Sequence, residues 1–174
     1  MALPLADWRD FYVMIGTASG ALVGATFIVA TLTSSVKERG LGLRGFITPT
    51  TVHLGSVLVG SAILCVPTLT RESLALLLGA GGAAGVIYGF VVATRIWHMN
   101  LDLADRSAYV VLPIVAYGSI AGAAGIMQLS ADATLDILGV ALVALLVIGM
   151  RNAWDMTTFM LTRDPSRDPP SGNP

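Results

Sequence analysis

Five runs of apolar residues, separated by short polar stretches, follow one another along the chain. Span 1 covers about residues 11–33, span 2 about 49–69, span 3 about 74–94, span 4 about 109–129 and span 5 about 135–154. In span 5 the helical pattern continues towards Met160. At ~1.5 Å rise per residue, about 20 apolar residues cover the ~30 Å of a hydrocarbon core. The pattern therefore predicts an all-α membrane protein, a bundle of five transmembrane helices forming one domain over residues 1–163. Residues 164–174, mostly Pro, Ser, Asp and Gly, read as a disordered cytoplasmic tail. Neither a soluble domain nor an internal repeat is visible.

Small residues recur within the spans at helical spacing. Gly16, Gly20 and Gly24 lie four apart in span 1, as do Gly81, Gly85 and Gly89 in span 3, and span 4 carries Gly118, Gly122 and Gly125. Lipid tails are as apolar as Leu, so helices in a bilayer gain mostly from close contact, which bare backbone permits. This spacing predicts glycine-zipper packing. Span 1 has a second stripe, Ser19, Thr26 and Thr33, on nearly the opposite side. Two stripes predict neighbours on both sides and make span 1 the expected hub. Pro49 suits the first helical position of span 2, with Thr48 as its cap. Thr70 or Ser73 can cap span 3. Pro67 and Pro113 are expected to bend spans 2 and 4.

Composition agrees with a membrane location. Of 174 residues, 55% are hydrophobic and only 12% charged, about half the charged share usual in soluble domains; mean hydropathy is +0.76. A net charge of −1 without a Lys/Arg cluster argues against nucleic acid as partner. Cys65, the only cysteine and placed mid-span by the pattern, leaves no intrachain disulfide and no cysteine-based metal site. Asp7 and Asp10 against Arg9 do not make the basic start of a cleaved signal peptide. Lys37, Arg39 and Arg44, Arg95 and Arg106, and Arg151, Arg163 and Arg167 fall on one side of a five-span chain; Arg9 and Arg71 fall on the other. That bias predicts the N-terminus outside and the C-terminus in the cytoplasm.

Polar groups at membrane depth are the candidate chemistry. Span 2 places His53 and Ser56 on one face with Pro49 and Gly60, about one turn inside the expected cytoplasmic boundary, and Thr50 lies beside them. Span 5 brings Arg151, Asn152 and Asp155 to the same boundary, and Arg151 and Asp155 are spaced to pair along the helix. Thr31, Thr33 and Ser34 of span 1 and Arg95 and His98 after span 3 join that level, whereas Gln128 is the main polar residue of the outer half. One reading is a cytoplasmic polar vestibule for an ion or small solute, with a histidine that ordinarily titrates near neutrality. The other is structural: Arg151 snorkels, Asp155 pairs with it, Trp154 anchors in the interface and His53 hydrogen-bonds a neighbouring span. A b-type haem held by His53 and His98 is not expected. Neither is any other cofactor or metal, and without a catalytic motif no enzyme activity is expected.

Trp8-Arg9-Asp10-Phe11-Tyr12, leading into Gly16-Thr17-Ala18-Ser19-Gly20-Ala21-Leu22-Val23-Gly24, resembles the start of uncharacterised small bacterial inner-membrane proteins. Thr48-Pro49-Thr50 with His53, and Arg151-Asn152-Ala153-Trp154-Asp155, resemble later motifs of that group. The resemblance implies a multi-pass protein of the bacterial cytoplasmic membrane and brings no activity, ligand or partner with it. Two functions are chiefly expected from the residues, with a lipid-binding or lipid-modifying role as the remainder. One is a homo-oligomeric channel or transporter-like protein; the other is a non-conducting module that binds, assembles or regulates another membrane protein.

Overall fold

A computed structural model describes residues 5–34, 41–96 and 107–162, which are helical apart from the turns at 65–70 and 127–130. Helix α1 runs Leu5–Ser34, α2 Leu41–Leu64, α3 Arg71–Ile96, α4 Leu112–Ile126 and α5 Ala131–Thr162; a single π-helical stretch, Ser107–Val111, leads into α4. Among the described residues, four helices are long and apolar enough to cross a membrane, over Leu5–Thr31, Arg71–Arg95, Tyr109–Ile126 and Asp132–Asp155. α2 contributes a shorter apolar stretch, Pro49–Leu64. Their outward faces carry large apolar side chains in the open, among them Met14, Phe27, Leu76, Ile87, Phe90 and Val140. A water-soluble bundle would put charge there; these faces fit hydrocarbon.

Several boundaries differ from the sequence reading. α2 begins well before Pro49, so Thr48 and Pro49 lie inside the helix rather than at its start. Pro49 has no N–H to give the carbonyl four residues back, and its ring crowds that turn. The residue there is Gly45, the least bulky choice. α2 also ends at Leu64, so Pro67 sits in the following turn instead of bending a span, and Cys65 lies just past the helix end. Pro113 stands at the first turn of α4, directly after the π-helical stretch. Pro113 has no N–H to give the carbonyl four residues back, and that carbonyl, of Tyr109, lies within the π-helical stretch. Thr70 caps α3 as its sequence suggests: its Oγ1 accepts from the Ser73 N–H at 3.2 Å.

Packing is antiparallel between α3 and α4, where Gly79, Gly82, Gly85 and Gly89 meet Ala124, Ala121, Tyr117 and Ile114 in turn. α2 and α5 are antiparallel too, with Gly149 against Leu54 and Gly60 against Leu142. The hub is α5, which packs on α2, α4 and the start of α1, rather than span 1 as expected. α1 lies at the edge. Its Gly16 and Gly20 meet Ser61 and Leu58 of α2, and its Ser19 hydroxyl donates to the Leu54 carbonyl of the same helix at 2.6 Å. Gly16 and Gly20 of one stripe and Ser19 of the other therefore address the same neighbour. The start of α1 is pinned to α5 by Trp8 and Phe11, whose rings pack edge to face and lie over Gly139 of α5, and by Tyr12 Oη donating to the Leu135 carbonyl at 3.1 Å.

The expected glycine packing is thus partial. Gly16, Gly20, Gly85 and Gly89 face another helix, but a Cβ at Gly24, Gly81, Gly118 or Gly122 would meet nothing within 4 Å. In α3 the packed stripe is Gly82, Gly85 and Gly89, not Gly81, Gly85 and Gly89. Both sets share a helical face, and only the position of α4 decides between them.

Candidate functional site

Midway along α2, His53 is buried, with 2% of its surface exposed. Its Nδ1 lies 3.0 Å from the hydroxyl of Tyr117 on α4, which is itself fully buried. The Tyr117 O–H donates to Ser56 Oγ at 3.0 Å, and the Ser56 O–H donates to the Val52 carbonyl at 2.8 Å. The direction follows from the proton count. Tyr117 and Ser56 each have one hydroxyl hydrogen, and both are committed away from the imidazole. His53 Nδ1 must therefore carry the hydrogen and donate to Tyr117, which leaves Nε2 as the ring's acceptor. Tyr88 of α3 stands edge-on to the imidazole, ring centres 6.4 Å apart. Three helices thus converge on one buried, oriented chain.

A second polar group sits towards the end of α5. Arg151 Nε and Asp155 Oδ2 are 3.7 Å apart, both side chains substantially exposed, as their spacing predicts. Tyr109, at the start of the α4 arm, donates to the same Asp155 oxygen at 3.4 Å. Between them Asn152 turns inward. It is 1% exposed, and neither its Oδ1 nor its Nδ2 has a hydrogen-bond partner among the described residues. The antiparallel register of α2 and α5 puts Asn152 level with Thr50, which is also fully buried, one turn from His53.

The structure therefore brings His53, Ser56, Thr50 and Asn152 into the interior and leaves Arg151 and Asp155 at its margin. Thr31 does not join them: it is exposed, and its hydroxyl donates to its own helix at the Phe27 carbonyl, 2.8 Å. Gln128 is exposed in the turn after α4. The side chains of Thr33 and Ser34, and all of His98, Lys37, Arg39, Arg106 and the tail, lie outside the described residues. The sequence reading overlooked Tyr117, Tyr109 and Tyr88. Membrane tyrosines usually mark the two interfaces, so a tyrosine in mid-span, as Tyr117 is, was the available signal.

A cleft of about 320 Å³ opens between α2 and α3, with α4 and α5 behind it. α2 and α3 hardly touch. Gly55 and Gly81 line the opening, each with nothing within 4 Å of where a Cβ would stand. Gly81 thus makes space rather than a helix contact. Ser56 and Tyr117 supply the cleft's hydroxyl groups.

Fold and surface together are those of a multi-pass helical membrane protein. No protein-family model matches the chain, and no curated protein or solved structure matches it either.

Proposed function

We propose that the protein is an oligomeric channel or transporter-like membrane protein that admits an ion or small polar solute past Asn152 and Thr50 towards His53. In this reading all five helices span the bacterial cytoplasmic membrane, the N-terminus lies outside, and the entrance lies at the cytoplasmic end marked by Arg151 and Asp155. The observation that carries it is Asn152. A buried amide with no partner costs about 1–3 kcal/mol, and in a bilayer no surrounding solvent relieves it. A polar guest at that position would satisfy both of its atoms. The opposite half of the bundle is closed by Leu64, Leu74, Met127, Leu135 and Leu138. A route through one subunit would stop there, so the exit is assigned to a subunit boundary. Gly118 and Gly122, open on α4, suit that role.

The test is flux from proteoliposomes for monovalent cations, protons, halides and small neutral solutes. Asn152→Leu, His53→Ala and Asp155→Asn should each slow the transported species. A bilayer that stays tight to every solute would refute the reading. The same open α4 face favours one alternative, a non-conducting module bound to another membrane protein. In-cell cross-linking from Gly118→Cys would then capture a different chain instead of a second copy.

A further inference from the structure

We propose that the cleft between α2 and α3 binds a neutral, hydroxyl-bearing apolar molecule drawn from the lipid phase, held by donation of its hydroxyl to Ser56 Oγ. The proposal requires neither flux nor self-assembly, so it stands apart from the function above.

Three observations converge on this occupant. The first is hydrogen-bond capacity. A serine oxygen has two lone pairs. One receives the Tyr117 hydrogen, the serine's own hydrogen goes to Val52, and one lone pair remains. Ser56 is only partly buried because it borders the cleft. The remaining position accepts a hydrogen, so it selects an alcohol or phenol over an ether or ester. The second is charge. No ionisable carboxylate, amine or guanidinium lines the cleft among the described residues. Ser56 stands in the middle of α2, where a charged headgroup would meet hydrocarbon without a counter-charge. The third is size. At about 320 Å³ the cleft lies near the lower bound of small-molecule pockets, roughly 300–1,000 Å³. It takes one ring or one chain, not a two-chain lipid. The remaining wall, including Val59, Ile63, Leu77 and Ile120, is apolar. Val59 and Leu77 are also exposed on the outer surface, so entry is sideways from the bilayer.

The experiment uses the full chain in phosphatidylcholine vesicles and three photoreactive probes with the same diazirine chain: a free alkanol, its methyl ether and a phosphocholine ester. Adducts are mapped by mass spectrometry. The alkanol should concentrate on Val59, Ile63 and Leu77 and exceed the ether there by about fivefold, the worth of one hydrogen bond of ~1 kcal/mol. Ser56→Ala should abolish that preference while apolar labelling persists. Gly81→Leu and, independently, Gly55→Leu should suppress cleft labelling, whereas Gly24→Leu, on an open face elsewhere, should not. Even labelling of all exposed faces, an ether or phosphocholine signal equal to the alkanol's, or indifference to both cleft-filling variants would overturn the proposal.

Discussion

Gly82→Ala is the sharpest probe of how α3 and α4 are held together. A Cβ at Gly82 would lie 2.6 Å from the Ala121 backbone nitrogen and 2.9 Å from the Tyr117 carbonyl oxygen. Neither atom belongs to a side chain that can turn away, so the helices must separate. Opening the closer contact to an ordinary ~3.4 Å needs about 0.8 Å, and a radial gap of that size forfeits a quarter to a half of the dispersion well along the seam. Overpacking of this kind costs about 1–3 kcal/mol, and rigid backbone puts Gly82 at the upper end. Alanine returns about 1 kcal/mol of helix propensity. The net expectation is a loss of about 2 kcal/mol. Gly24→Ala meets nothing within 4 Å and should gain up to ~1 kcal/mol, which leaves a gap of about 3 kcal/mol between two identical substitutions. Equilibrium unfolding in mixed micelles, followed by far-UV circular dichroism, measures both. If Gly82→Ala matches or exceeds Gly24→Ala in stability, the α3–α4 seam is not built on that backbone contact.

Other substitutions test the polar interior. Tyr117→Phe strands the His53 Nδ1–H and should destabilise the fold by about 1–3 kcal/mol, read by the same unfolding. Asn152→Leu removes an amide that has no partner among the described residues, so it should leave stability unchanged or raise it by up to ~2 kcal/mol while slowing flux in proteoliposomes; lower stability with normal flux would contradict its assigned role. Ser19→Ala deletes one interhelical hydrogen bond and should cost about 0.6 kcal/mol. Tags at the two ends should be reached from opposite faces of the membrane, the C-terminal one only from the cytoplasm.

The existence and approximate extent of the helices were legible because length and hydropathy are local properties, and so were the Thr70 cap and the Arg151–Asp155 pair, which depend on spacing within one helix. Helix ends were less so. Pro49 reads as a start in isolation, yet Gly45 lets α2 continue through it. The glycine phase in α3 was not legible, since Gly81 and Gly82 both share a face with Gly85 and only the position of α4 separates cleft from seam. Likewise His53 and Ser56 declared themselves by polarity, whereas Tyr117, which joins them, counts as apolar in a hydropathy pattern. That Asn152 has no hydrogen-bond partner among the described residues is a tertiary fact that no sequence window contains.

The claim that a polar guest reaches Asn152 is tested most directly by thiol accessibility. With Cys65, the sole cysteine, replaced by serine, Asn152→Cys and Leu145→Cys are compared for reaction with a small charged thiol reagent added from the cytoplasmic side of inverted vesicles. Both native side chains are buried on the same helix, about two turns apart. Rapid reaction is expected at position 152, slowed by a transported solute, and none at position 145. Equal inertness at the two positions would mean that the amide sits in a sealed core and that no pathway passes it.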